Sequence, residues 1–168
     1  MPTVQILGTG QLTDLSRQLR RAGGPRLRQN TSRRIRRAAE PLHRDLQRSI
    51  RSVQLPGSGR KKRGGPSATT RPLRAGIAGA VRISVRTGAT PGARVWLDSS
   101  RLPAGVTMGV PSRINEGRLR HPVFGNTKRW TNQWARPTGW WSGPVAAGTP
   151  RMRAEIERVL GDVRRDLQ

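Results

Sequence analysis

Apolar residues recur along the chain at spacings that separate helices from strands. Val4 and Ile6 make a short extended lead-in, followed by a turn at Gly8-Thr9-Gly10. From Gln11 to Arg21, the positions Leu12, Leu15 and Leu19, with Ala22 beyond, fall on one helical stripe. Asp14 lies in the first turn, where a carboxylate suits the helix dipole. Gly23-Gly24-Pro25 is expected to stop this helix. A second helix is predicted from about Thr31 to Val53, with the stripe Ile35, Ala38, Ala39, Leu42, Leu46, Ile50 and Val53. Thr31 or Ser32 can cap it. Arg33, Arg34, Arg36, Arg37, Arg44, Arg48 and Arg51 cover its other faces. Pro41 is expected to kink or restart it, and Pro56-Gly57 to end it.

Residues 56–72 carry almost no apolar side chain, and Arg60-Lys61-Lys62-Arg63 is the densest charge run in the chain. This stretch is predicted to be a flexible basic loop within one domain spanning 1–168. Leu73 to Ala80 suits a short helix or turn. Val81 to Thr87 alternates apolar and polar residues, as does Ala93 to Asp98. Joined by the turn at 88–92, these form a hairpin over 81–98 with Val81, Ile83 and Val85 on one face. Residues 99–129 read as loop, with a helical piece near Pro111–Glu116. Trp130 to Trp134 is a candidate third strand near 130–135. The last segment carries the stripe Val145, Met152, Ile156, Val159, Leu160, Val163 and Leu167. Gly148 and Pro150 are expected to break its first turns, so that the firm helix starts near Pro150. The sum is an α+β fold: a small antiparallel sheet packed with two N-terminal helices and a C-terminal helix.

Composition changes what such a fold is for. In 168 residues there are 33 basic side chains, all but three of them Arg, and 9 acidic ones, for a formal charge of +24. Leu, Ile, Val and Phe make up just under a fifth of the chain, near the border of disorder. A compact isolated state therefore faces strong self-repulsion, and neutralising partners are expected. The charge is uneven: residues 56–74 hold six cations and no acid, whereas 151–168 sum to +1. With no cysteine there is no disulfide framework or thiolate metal site, and the two histidines lie far apart. No apolar run approaches the roughly 20 residues that span a bilayer, and the N-terminal residues show no secretory pattern. Neither a metal, a cofactor nor a membrane is expected.

Candidate chemistry is sparse. Gly8-Thr9-Gly10 lacks the third glycine and the downstream acid of a dinucleotide fingerprint. Ser112, His121 and Asp98 can be combined only on paper into a hydrolytic triad; no nucleophile-elbow motif is present, and no enzyme is expected. Arg60, Lys61, Lys62 and Arg63, with Arg118, Arg120, Lys128 and Arg129, are the candidate contacts to DNA or to an acidic partner. Phe124, Trp130, Trp134, Trp140 and Trp141 lie within 18 residues. A base-stacking platform is one reading of them, and packing in the core or at a subunit interface is the preferred one.

The order of these features resembles that of the tail-completion, or neck, proteins of long-tailed (siphovirus-type) bacteriophages, as encoded in phages of actinobacteria. Matching stretches are Leu15 to Gly23 (LSRQLRRAG), Ala38 to Leu42 (AAEPL), and Leu73 to Ala78 leading into Val81 to Val85. The most specific is Arg120-His121-Pro122-Val123-Phe124-Gly125-Asn126, with Trp130, Gln133 and Gly139-Trp140-Trp141. Trp140-Trp141 stands where the family pattern has Trp-Phe, and Val145–Pro150 is poorer in charge. The resemblance implies a non-enzymatic virion protein without cofactor, made in the bacterial host cytoplasm. It would sit in a ring, taken as a hexamer, around the DNA channel at the head–tail junction. The implied partners are further copies of itself, neighbouring head–tail connector and tail proteins, and packaged double-stranded DNA. A tail terminator capping the tail tube is a close alternative. A basic RNA-binding protein of ribosomal type is an alternative from another class.

Overall fold

The computed structural model describes residues 4–7, 24–55, 73–87, 91–123 and 126–165. Its longest element is helix α1, Pro25–Ser52, whose stripe of Ile35, Ala38, Ala39, Leu42, Leu46 and Ile50 is buried as the three-and-four spacing requires. The helix begins earlier than predicted. Gly24 is its N-cap and Pro25 fills the first turn, where a missing N–H leaves nothing unsatisfied. Thr31, expected as a cap, is instead buried inside α1, its hydroxyl donating to the Leu27 carbonyl at 2.9 Å. Pro41 does not restart the helix; α1 runs through it. Burial of Ala38, Ala39, Leu42 and Leu46 around it offsets the roughly 3 kcal/mol that an interior proline costs.

Strands β1 (Val4–Leu7), β2 (Val81–Arg86) and β3 (Gly92–Leu97) form an antiparallel sheet in the order β1-β3-β2. The predicted hairpin is present, with Ile83 opposite Val95 and Val81 opposite Leu97. Its apolar face packs under α1: Val81, Ala93, Val95 and Leu97 are buried, and Ile83 and Val85 are half-buried against the same core. The short helix α2, Leu73–Ala80, runs directly into β2 and buries Ile77, Ala78 and Ala80. A 3-10 turn at Ser99–Arg101 follows β3, capped by Asp98, which accepts from the Ser100 N–H at 3.1 Å and the Ser100 hydroxyl at 2.7 Å.

The strand predicted near 130–135 exists but belongs elsewhere. It is β5, Asn126–Trp134, and it pairs with β4, Arg118–Val123, in a second two-stranded sheet. Its expected place beside the 81–98 hairpin is taken by β1. Part of the predicted loop 99–129 is therefore strand. The short helix in that region is α3, Gly109–Asn115. The α+β class stands. The predicted helix 11–21 and the basic loop 56–72 lie outside the described residues.

The C-terminal helix α4 covers Ser142–Arg165 without a break at Gly148 or Pro150. Two features explain its early start. Asn115 accepts at Oδ1 from the backbone N–H groups of Trp141 (2.8 Å) and Ser142 (3.2 Å), satisfying donors that a helix start leaves open. Gly148 then lets α4 close on α1: a Cβ there would lie 2.9 Å from Leu42 Cδ1. The two helices run antiparallel, with Asp162 of α4 hydrogen-bonded to Arg34 of α1.

Asp162 also accepts from Arg165 at 2.5 Å. The hydrogen bonds from Arg165 and Arg34 hold its carboxyl below the ordinary carboxylate range. A depressed folded pKa contributes stability that is fully present above the unfolded value, about 3.9, and is lost as the pH falls through the folded value. Asp162→Asn is therefore expected to melt lower than the wild type at pH 7. The gap between the two should close as the pH is taken stepwise below 4. Thermal melts across that series check it, and a gap that stays constant with pH would assign the difference to something other than this ionisation.

Candidate functional site

The site is built from β4 and β5 and the turn that launches them. After α3, Gly117 takes a left-handed conformation, φ +85°. It donates to the Ile114 carbonyl at 3.1 Å and accepts from the Ala135 N–H at 3.0 Å, tying both ends of the hairpin to α3. At the C-terminal end of the hairpin, Gln54 and Arg136 exchange backbone hydrogen bonds of 2.5 and 3.1 Å, fastening it to the end of α1.

Register then sorts the side chains. Arg118 lies opposite Trp134, Arg120 opposite Asn132, and Pro122 opposite Trp130. Opposed residues share a face, and so do residues two apart along a strand. Arg118, Arg120, Trp130, Asn132 and Trp134 therefore share one face, and all five are exposed. Leu119 and Gln133, on the other face, are half-buried, and Leu119 packs against the core. The open face carries the two large exposed apolar side chains of the described residues, Trp130 at 47% and Trp134 at 56%. The Arg120 guanidinium sits over the Trp130 ring, 5.3 Å from its centroid. Beside Trp134 a groove of about 490 Å³ is lined by Gln54, Leu55, Arg74 and Arg136. Arg74 is fixed there by donating to the Val53 and Arg51 carbonyls at 2.7 and 3.3 Å, which closes the C-terminus of α1.

The five aromatic candidates thus separate. Trp140 and Trp141 are core residues, 1% and 3% exposed, with their rings edge to face at 5.6 Å. Trp140 Nε1 donates to the Pro111 carbonyl at 3.0 Å. Trp130 and Trp134 are not in the core. Phe124 lies outside the described residues, as do Arg60, Lys61, Lys62 and Arg63. Of the other basic candidates, Arg118 and Arg120 are on the open face, and Lys128 and Arg129 are exposed on β5. Sequence reasoning missed Arg74, which is brought to this surface by the end of α1. It also missed a second basic face on the three-stranded sheet. There Arg82, Arg86, Arg94 and Trp96 lie on the side away from the apolar face, and the Arg94 guanidinium sits 5.2 Å from the Trp96 centroid. Alternation in 81–86 and 92–97 was the available signal.

The acids do not balance these cations at the site. Glu40 pairs with Arg44, Asp45 with Arg48, Glu155 with Arg158, and Asp162 with Arg34 and Arg165. Asp98 is occupied as a cap, and its hydrogen bond from Ser100 is the main cause of its lowered pKa. Among the described residues no group of three or more His, Cys, Asp or Glu side chains is placed to hold a metal ion, and no helix is long and apolar enough to cross a membrane. No protein-family model, curated protein or solved structure matches this chain.

Proposed function

We propose that this protein is a structural subunit of a phage neck. It would form a ring that completes the tail and joins it to the head around the DNA channel, acting by binding and not by chemical turnover. The observation that carries this reading is the internal use of the acids. Five of the nine acidic side chains are engaged within the chain by ion pairs or a cap. The formal charge of +24 already counts all nine acids, so its neutralisation falls to partners outside the chain. Packaged DNA and acidic neighbours in a virion supply that charge at high local density. A ring subunit also completes its burial against neighbours through repeated identical interfaces, which suits a chain with so small an apolar fraction.

Two measurements test the reading together. Native mass spectrometry of the purified protein is expected to show a closed oligomer of the 18.5 kDa chain, six copies in the present reading. Cryo-electron microscopy of phage particles that encode it is expected to place that ring between portal and tail tube. A monomer that is absent from particles and sediments with ribosomal subunits would overturn it in favour of the ribosomal-type alternative.

A further inference from the structure

We infer that the open face of the β4–β5 hairpin is a platform for single-stranded nucleic acid. On this face Trp130 and Trp134 stack bases while Arg118 and Arg120 hold the phosphates. The inference is independent of the neck reading.

The chemistry follows from what shares the face. Trp130 and Trp134 are four residues apart on β5, about 13 Å along the strand. Each is thus placed for a different base. Both are about half exposed, and they are the large apolar side chains that stand exposed among the described residues. Arg118 and Arg120 flank them from β4, directly across from Trp134 and Asn132. Such an alternation of cations and rings suits a polymer that alternates phosphates and bases. The Arg120 guanidinium already stacked on Trp130 adds a planar cation to the platform. The track continues past Trp134 into the groove at the end of α1, where Arg74 and Arg136 supply two further cations.

Competing occupants fit less well. A second copy of the chain brings a further +24 to a basic face, and four of its nine acids are already held in internal ion pairs. Intact duplex DNA satisfies the arginines but keeps its bases stacked on each other, so it offers no unstacked base to either indole. An acidic peptide likewise matches the charge and offers no ring to stack.

The test is titration of the full-length protein with fluorescein-labelled oligo(dT), a duplex of equal phosphate count, and polyglutamate of equal charge, at several salt concentrations. Non-specific binding by so basic a chain is separated by variants. Trp130→Leu with Trp134→Leu keeps apolar bulk and removes the rings. It is expected to lose at least about fivefold in oligo(dT) affinity per ring with duplex affinity unchanged, whereas the double Phe variant stays near wild type. Arg118→Ala with Arg120→Ala is expected to reduce the slope of log affinity against log salt by about 1.4 for the single strand. A control pair on an exposed face of α1, Arg33→Ala with Arg36→Ala, should leave the preference for single strand over duplex intact. Circular dichroism melts confirm that each variant folds. Equal affinity of wild type for single strand and duplex, or full retention of oligo(dT) binding by the double Leu variant, would overturn the inference. Tighter binding of polyglutamate than of oligo(dT) would overturn it in favour of an acidic protein partner.

Discussion

Trp140→Ala is expected to cost about 3–5 kcal/mol of folding stability, the range for removing a fully buried large aromatic. Trp140 is 1% exposed, is among the largest fully buried side chains, and sits edge to face against Trp141. Truncation removes that contact and opens a cavity beneath the start of α4. It also strands the Pro111 carbonyl, which loses the indole donor at 3.0 Å. Domains of ordinary stability retain only about 5–15 kcal/mol in total, so the variant should unfold at a much lower denaturant concentration or fail to fold. Urea titration followed by far-ultraviolet circular dichroism measures this without relying on tryptophan emission. Trp134→Ala is the internal contrast. That ring is 56% exposed, and its loss should change stability by no more than about 0.5 kcal/mol. Equal losses at the two positions would contradict the assignment of one ring to the core and the other to the surface.

Gly117→Val carries the second large effect, expected at about 3 kcal/mol. Two causes combine at this residue. Its φ of +85° lies in the left-handed region, which costs an L-residue about 1–2 kcal/mol and a β-branched one more. A Cβ there would also meet Thr138 Cγ2 at 2.4 Å and the Ala135 carbonyl oxygen at 3.4 Å. Gly105 separates the causes. Its φ is +80°, yet a Cβ there has open space around it. Gly105→Ala should therefore show only the backbone cost, and Gly117→Ala the backbone cost plus the collision. Paired urea titrations check this, and a smaller loss at 117 than at 105 would remove the steric component. Gly117 anchors both ends of the β4–β5 hairpin to α3. Its replacement should therefore also loosen the surface that carries Trp130 and Trp134, visible as faster amide exchange in β4 and β5.

Much of the frame was legible in the sequence. The α1 stripe from Ile35 to Ile50 was readable because a single amphipathic period covers it and no tertiary contact opposes it. The hairpin of β2 and β3 was readable from alternation, since one side must face the core. The polar character of β4 hid it: Arg118-Leu119-Arg120 alternates around a single apolar residue, Leu119, which packs against the core. Where helices begin was misread at Gly24-Pro25 and at Gly148-Pro150. Pro25 fills the first turn of α1, and Gly148 lets α4 touch α1.

At the candidate site, composition showed that cations and tryptophans crowd the region 118–141, and the structure buries Trp140 and Trp141. Composition did not tell them apart from Trp130 and Trp134. Local pattern is blind to this division, because burial of an aromatic depends on which remote element comes to cover it. Here α3 supplies the Pro111 carbonyl and the Asn115 cap for the start of α4, and so encloses Trp140 and Trp141. The sequence by itself determined the helical and strand periods, the excess of positive charge and the α+β class, since these depend on neighbours within a few residues. Only the tertiary structure decided that β5 pairs with β4 and not with the first sheet, that five of the acids are held in internal ion pairs or a cap, and that two rings and two arginines share an open face. Each of those depends on register and long-range contact, which no local spacing encodes.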